Sequence, residues 1–397
     1  MKDLKVAFYV TGGIAVYKSI SLMREFIKMG ADVQVAMTPS ATEFVSPLTF
    51  QVLSKHAVHI DTFSEEDPHY VQHIHLADWA DVSIVAPATA NTIAKLANGM
   101  ADNFVTSALL ATVSPIFLVP AMNEHMLEHP ATQKNIETLR NRHHYVMEPE
   151  TGFLAEGYSG KGRFPETEAI IEALEGFLME FRENLPLKGK KVVVTAGGTK
   201  ERIDPVRFIS NDSSGKMGHA LAEAAWSAGA EVTLITVSDL PSRKQINRIQ
   251  IDSAAQMYEA VNQAFQEIDV LIMAAAVSDY APLKVEEHKM KKQNQLTIEL
   301  KKNPDILKEM GKKKTKQFLI GFAAETENIE TYALKKLTEK NADLIVANDV
   351  GKKDRGFNSN HNEVTIYSDI NQPVTIKLSK KAEIAQSIIE ILIERLE

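Results

Sequence analysis

GFLAEGYSGKG, residues 152–162, surrounds one carboxyl group, Glu156, with glycine and small polar residues. A carboxylic acid can donate a proton near neutrality if burial raises its pKa. The run is too polar for a strand and too rich in glycine for a helix, so it reads as a mobile loop or lid. Gly152, Gly157, Gly160 and Gly162 would let the backbone fold closely over a ligand. A solvated connection between domains is the alternative. Upstream, VQHIHLADWAD, residues 71–81, carries His73 and His75. In an extended segment the two rings share a face and could hold a metal; in a helix they diverge, and neither a cysteine nor a third ligand accompanies them. FLVPAMNEHM, residues 117–126, sets Asn123 and Met126 just after an apolar strand. Asn123 could donate a hydrogen bond to a carboxylate or amide oxygen, or cap a helix.

The second half offers a different set. In TAGGTKERIDPVRFISNDSSGKMG, residues 195–218, Arg207 could fork onto a phosphate or carboxylate and Asn211 could polarise a carbonyl. Ser213, Ser214, Gly215 and Lys216 could lie along a triphosphate, although the GxxxxGK[ST] spacing of a Walker loop is absent. So long a segment between strand and helix is usually functional. AAAVSDY, residues 274–280, combines small residues that admit a nucleotide with Asp279, an acid for base, sugar or metal. The run Lys289, Met290, Lys291, Lys292 brings positive charge, which is elsewhere a common solvated face. Asn303, Pro304, Asp305 and Ile306 open a helix, Gly321 to Thr326 end a strand, and Lys336 and Lys340 lie four apart on one helix face.

Strand–helix–strand modules must position these residues, and the chain contains two of the same plan. LKVAFYV runs through Gly12 and Gly13 into a helix, and KVVVTA through Gly197 and Gly198 into another. Each helix closes on a Gly-Ala-acid-Val phrase, at Gly30 and at Gly229, then returns to a β-branched run, as a helix does when it rejoins a parallel sheet. Each half next presents an acid-led apolar strand, after Asp81 and after Asp269. The fold class predicted is α/β, with two doubly wound Rossmann-like domains holding ligands at the carboxyl ends of their strands. The boundary falls near residues 183–191, where a long helix stops at Pro186, giving domains 1–185 and 186–397. In the first, TGGIAVYKS, the Thr38–Ala41 turn with Ser40, and the PATANT loop with Pro87, Thr89 and Asn91 converge on one crevice suited to a phosphorylated cofactor. Neither glycine pair completes GxGxxG, so a standard dinucleotide site is only weakly indicated.

With 397 residues, two domains of ordinary size are expected. A net charge of −8 argues against a nucleic-acid surface but leaves small anionic ligands open. The absence of cysteine excludes disulfides, thiolate metal sites and a cysteine nucleophile. The short apolar run at the amino terminus reads as a buried strand, and no run approaches the length needed to span a bilayer; a cytoplasmic protein with no membrane partner is expected. KKAEIAQSIIEILIERL, residues 380–396, reads as an amphipathic helix packed on the second domain.

TGGIAVYK, HIHLADWAD, PATANT, GMADN and PAMNEHM together resemble the homo-oligomeric flavin-containing cysteine decarboxylases. With the second half, the whole chain resembles the bifunctional phosphopantothenoylcysteine decarboxylase/phosphopantothenate:cysteine ligases of coenzyme A biosynthesis. The resemblance implies a flavodoxin-like domain holding FMN through Gly12, Gly13, Ser40, Pro87, Thr89 and Asn91. It implies His73, rather than His75, as the active histidine, Asn123 as a catalytic residue and Met126 as a substrate contact. The implied reaction is decarboxylation through transient oxidation of the cysteinyl group by flavin and return of the hydride. The 152–162 segment corresponds to a substrate-covering flap whose usual Ala-Cys-Gly is Ala155-Glu156-Gly157 here, so Glu156 either replaces the cysteine as proton donor or leaves the reduction impaired. For the second half the resemblance implies that CTP and Mg2+ activate 4'-phosphopantothenate as an acyl-cytidylate, which the amine of cysteine attacks. Asn211 and Lys289 would be catalytic, with metal ligands unassigned. Arg207, Ala275, Asp279, Pro304, Asp305, Ile306, Leu307, Phe322, Lys336 and Lys340 would contact substrates. A flavin-binding regulatory subunit is the remaining alternative, and homo-oligomers with sites at subunit boundaries are implied.

Overall fold

The computed structural model describes all residues except 65–68, 183, 292–295, 326–327, 350–358, 371 and 397, so Lys292 and Thr326 lie outside the described residues. The chain divides into two compact units, Met1–Phe181 and Arg182–Glu397. Leu185 goes with the second: a Cβ added to Gly229 would lie 2.5 Å from the Leu185 Cβ. The helix expected to run to Pro186 stops at Met179.

In the first unit the elements are β1 (Lys5–Val10), α1 (Val16–Lys28), β2 (Asp32–Met37), α2 (Pro39–Thr42), α3 (Pro47–Ser54), β3 (Val58–His59), α4 (Gln72–Trp79), β4 (Val82–Ala88), α5 (Ala90–Ala97), α6 (Phe104–Ala111), β5 (Ile116–Pro120), α7 (Glu124–Glu128), α8 (Pro130–Asn141), β6 (Tyr145–Val146), β7 (Glu150–Phe153), β8 (Ser159–Arg163) and α9 (Thr167–Met179). Six strands pair in the order β3-β2-β1-β4-β5-β6, every pair parallel. Alternation along the strands serves two cores. Val6, Phe8 and Val10 with Ile84 and Phe117 pack on Phe26 and Phe177, whereas Ala7 and Tyr9 with Val85 and Leu118 pack on Leu76 and Phe104. Both faces are covered, so the strands read as unbroken apolar runs, and each fully buried phenylalanine contributes roughly 1.5–3 kcal/mol.

The second unit contains β9 (Lys191–Ala196), β10 (Lys200–Arg202), β11 (Phe208–Ser210), α10 (Lys216–Ser227), β12 (Glu231–Thr236), β13 (Asn247–Gln250), α11 (Ala254–Ala264), β14 (Val270–Met273), β15 (Tyr280–Pro282), β16 (Leu300–Lys302), α12 (Ile306–Lys313), β17 (Phe318–Glu325), α13 (Ile329–Glu339), β18 (Leu344–Asp349), β19 (His361–Tyr367), β20 (Val374–Lys380) and α14 (Lys381–Leu396). Its sheet runs β13-β12-β9-β14-β17-β18-β19-β20, parallel up to β18 and antiparallel from there. In both sheets the chain reverses direction of growth beside the first strand, between β1 and β4 and between β9 and β14. A doubly wound sheet leaves its ligand crevice at that reversal.

Two segments differ from expectation. Residues 150–163 form an antiparallel hairpin, with Gly152 opposite Gly160 and Phe153 opposite Ser159. Strand geometry survives the polar sequence because the pairing is through the backbone, and glycine removes the side chains that would block its docking. Likewise the long segment after β9 contains the β10–β11 ribbon, Lys200 to Ser210, rather than unpaired loop.

Candidate functional sites

A cavity of about 790 Å³ opens at the carboxyl ends of β1, β2, β4 and β5 in the first unit. Gly12, Gly13, Ser40, Thr89 and Asn91 line it, as do Asn123, Met126 and Glu156. The loops are locked together: a Cβ on Gly12 would sit 2.4 Å from the Ser40 Cβ, so only glycine permits that crossing. Thr11 Oγ1 donates to the Pro87 carbonyl (2.7 Å) and accepts from Thr89 N (3.0 Å). Pro87 therefore braces the cavity from behind and does not line it. Thr89 caps α5 and Asn103 caps α6 through a reciprocal box with Thr106. Lys95 binds Asp102 at 2.5 Å, which holds the Asp102 carboxyl below its ordinary range, and Lys18 donates to the Phe164 carbonyl at 3.2 Å.

Asn123 joins the cavity floor to the hairpin. Its Oδ1 accepts from His125 N (2.9 Å) as the cap of α7, and its Nδ2 donates to Tyr158 Oη (2.7 Å) and to Glu156 Oε1 (3.0 Å). Both possibilities raised by its position, cap and donor, thus hold at once. The hairpin docks through its glycines. Gly162 has φ +144°, and a Cβ there would lie 2.1 Å from the Met122 carbonyl oxygen. Lys161 N donates to Glu124 Oε1, while Lys161 Nζ pairs with Glu148. Glu156 is exposed in this chain, so the burial that would fit its carboxyl group to donate a proton has to come from a bound substrate.

His73 is not among the residues lining the cavity. It lies in α4, where helical geometry turns it away from His75, and its ring meets Phe104 edge-on at 6.2 Å with a buried, unpartnered Nδ1. No group of three or more His, Asp or Glu able to hold a metal exists among the described residues. The cavity itself fits a flavin mononucleotide. Gly12 crosses Ser40 at its wall where no side chain would fit, Ser40 and Thr89 add hydroxyls, and Ile14, Met126 and Phe153 supply an apolar side for a ring system.

The second unit has a cavity of about 480 Å³ at its own reversal. Asn211, Ala275, Asp279, Phe322 and Lys336 line it, together with Asp212, Ser213, Gly215 and Lys216. Gly215 opens α10 at φ +78°, and the Gly218 side of the helix presses on β9 so closely that a Cβ would meet Ala196 Cβ at 2.5 Å. Asn211 Nδ2 donates to the Val277 carbonyl at 3.1 Å, tying this loop to the one after β14.

Several expected residues stand outside that cavity. The Arg207 fork is taken by Asp204, through Nε at 2.9 Å and Nη2 at 2.5 Å, rather than left open to a phosphate. Asp204 is fully buried, and the Arg207 guanidinium, with three backbone N–H groups, holds its carboxyl far below the carboxylate range. The same pair grips the backbone of Met290: Arg207 donates to its carbonyl and Asp204 accepts from its N–H. Arg207 therefore anchors the segment bearing exposed Lys289. Asp305 caps α12 and pairs with Lys340, the C-cap of α13, at 3.2 Å; Ile306 and Leu307 are core, and Pro304 precedes the cap. Asn348, Asn362 and Lys381 complete the wall and were not anticipated. Asn348 ends an apolar strand, a position that could have drawn notice; Lys381 was hidden in an amphipathic pattern.

Residues 1–179 match the family model described as Flavoprotein, and residues 187–396 match that of the DNA/pantothenate metabolism flavoprotein C-terminal domain. The chain is thus a flavoprotein module followed by the C-terminal module of the DNA/pantothenate metabolism flavoproteins. It is 50% identical over 395 residues to the coenzyme A biosynthesis bifunctional protein CoaBC of Bacillus subtilis (strain 168), covering 98% of this chain and 97% of the relative. Identity to the protein of that name from Haemophilus influenzae is 44% over 389 residues, 97% and 96% of the two chains. A cysteine/cysteine sulfinic acid decarboxylase from an unknown prokaryotic organism is 44% identical over 350 residues, 87% of this chain and 98% of that one. The chain belongs to the family of coenzyme A biosynthesis bifunctional proteins. Among the described residues, no helix is long and apolar enough to cross a membrane.

Proposed function

We propose that this chain catalyses two steps of coenzyme A biosynthesis: CTP-dependent joining of cysteine to 4'-phosphopantothenate in residues 182–397, and FMN-dependent decarboxylation of the product to 4'-phosphopantetheine in residues 1–181. The observation that carries this reading is one cavity at the reversal of each doubly wound sheet, in a chain similar along its whole length to bifunctional relatives.

In the first cavity, Gly12, Gly13, Ser40, Thr89 and Asn91 would hold the flavin, which supplies the reversible two-electron chemistry that activates the carboxyl group for loss. Both N–H groups of Asn123 Nδ2 are donated, to Glu156 and Tyr158, so a substrate would take one by displacing a hairpin side chain, which would couple its binding to the hairpin. Proton delivery falls to one of those two side chains; Lys161 is engaged by Glu148. His73, flanked by exposed Tyr70, Val71 and Ile74, would serve the cavity of a second copy in a homo-oligomer. In the second cavity, Lys216 and Lys336 would oppose the charge of a triphosphate, Asp279 would help hold a Mg2+ ion that offsets more of that charge, and Phe322 would border the nucleotide. Lys289 offsets charge on the acyl-cytidylate from the arm that Arg207 anchors. Both reactions are assigned to the cytoplasm.

Pyrophosphate release should require CTP, 4'-phosphopantothenate and cysteine together, and mass spectrometry should then find 4'-phosphopantetheine. Conversion of cysteine alone would instead favour the activity named for the third relative. Replacing the proton donor, in Glu156→Gln or Tyr158→Phe, should preserve carbon dioxide release while a product two hydrogens lighter accumulates. Unchanged yield in both variants would remove the hairpin from proton delivery.

A further inference from the structure

Asp279 lines the second cavity and is exposed, and its carboxylate takes no hydrogen bond or ion pair among the described residues. The backbone that carries it is tied down. Four consecutive carbonyls after β14 are taken by two asparagines. Asn211 Nδ2 donates to those of Ala276 (3.4 Å) and Val277 (3.1 Å). Asn303 donates through Nδ2 to that of Ser278 (2.8 Å) and through its backbone N–H to that of Asp279 (2.8 Å). Ser278 N in turn donates to Thr199 Oγ1 at 3.0 Å. Asn303 is itself held. It follows β16, where Lys302 pairs with Tyr280 of β15, so its N–H continues that antiparallel ladder. Pro304 keeps the backbone of Asn303 extended. Asp305 then caps α12 through Lys308 N and pairs with Lys340 at the end of α13, the helix that brings Lys336 to the cavity. A free carboxylate on a fixed backbone is a ligand set in place before binding, because the loss of loop freedom has already occurred on folding.

We propose that Asn303 is a positioning residue for Asp279: it holds the loop after β14 where that carboxylate meets the nucleotide and the divalent cation the nucleotide carries. The inference rests on the reading of this cavity as a nucleotide site. Asn303 does not line the cavity, so it acts through Asp279 rather than on the nucleotide. An amide suits the task. It donates to the Ser278 carbonyl without bringing a charge beside the phosphates, and removing it would leave that carbonyl without its donor.

The test measures equilibrium binding of CTP in MgCl2 to the full-length protein and to Asn303→Ala, Asn303→Ser, Asp279→Asn and the double variant Asn303→Ala/Asp279→Asn, with melting followed in parallel. Asn303→Ala should lose about tenfold in affinity, and Asn303→Ser, which keeps an O–H donor, should recover part of it. Asp279→Asn should lose at least as much. Adding Asn303→Ala to Asp279→Asn should then change affinity less than about twofold, since nothing remains to be positioned. Losses that multiply in the double variant would overturn the positioning role. So would undiminished binding by Asn303→Ala, or a serine variant no better than alanine, and either would leave the nucleotide site standing. If Asn303→Ala melts too low to assay, Asn303→Ser and Asn303→Ser/Asp279→Asn decide by the same comparison. Wild type that binds no CTP would bring down both the positioning role and the nucleotide reading.

Discussion

Asn123 carries more than one duty on a single amide, and the two ends of that amide can be separated. Asn123→Asp keeps an oxygen for His125 N but removes the donor to Tyr158 and sets a carboxylate against Glu156; Asn123→Ala removes both. The alanine variant should lose about 1 kcal/mol from the α7 cap and the aspartate variant almost nothing. Both should lower decarboxylation tenfold or more with pyrophosphate release unchanged, as calorimetry and paired assays will test. Lys381 makes a prediction with pH. Its native value of about 8 lies below the ordinary 10.5, so between these the unfolded chain binds more protons and stability rises with pH. The gap corresponds to roughly 3 kcal/mol, present as destabilisation below pH 8 and relieved by pH 10.5. Denaturant titrations should find that rise in wild type and not in Lys381→Met. Asn123 was legible from its place after an apolar strand. Arg207 was legible as a fork but not in its target, because Asp204 is a neighbour only once the turn has formed. Lys381 was illegible because a helix pattern reports which residues are apolar, not what the polar ones meet.

The hairpin shows where element prediction fails. Its strands carry no alternation of apolar and polar residues, since their stability comes from backbone pairing and from docking on Met122 and Glu124. The parallel strands were readable for the opposite reason: two covered faces demand continuous apolar sequence. Docking makes Gly162 the sensitive position. Gly162→Ala places a methyl 2.1 Å from the Met122 oxygen and should abolish decarboxylation. Gly157→Ala, at φ +90° but with nothing within 4 Å, meets only backbone strain and should cost about 1–2 kcal/mol locally. Comparable losses of activity in the two variants would mean that docking is not what the glycine secures.

At the scale of the molecule, the repeated strand–helix–strand plan was visible in the doubled Gly-Ala-acid-Val phrase, whereas the strand order was not, because pairing partners are distant in sequence. Two units with separate cores should melt in two transitions. Scanning calorimetry of the full chain should find FMN raising one of them and CTP the other. A single transition moved equally by both would mean that the units do not unfold separately. The cavities also differ in how their walls are spread along the chain: the first runs from Gly12 to Phe164, the second from Asn211 to Lys381. On the ribosome the first pocket has all its walls while most of the second unit is still unmade. The second gains its last wall only when the helix that begins at Lys381 has emerged. A stalled or clipped chain lacking that helix would therefore keep the means to decarboxylate while losing its grip on the nucleotide, an order of assembly written into the spacing of the walls.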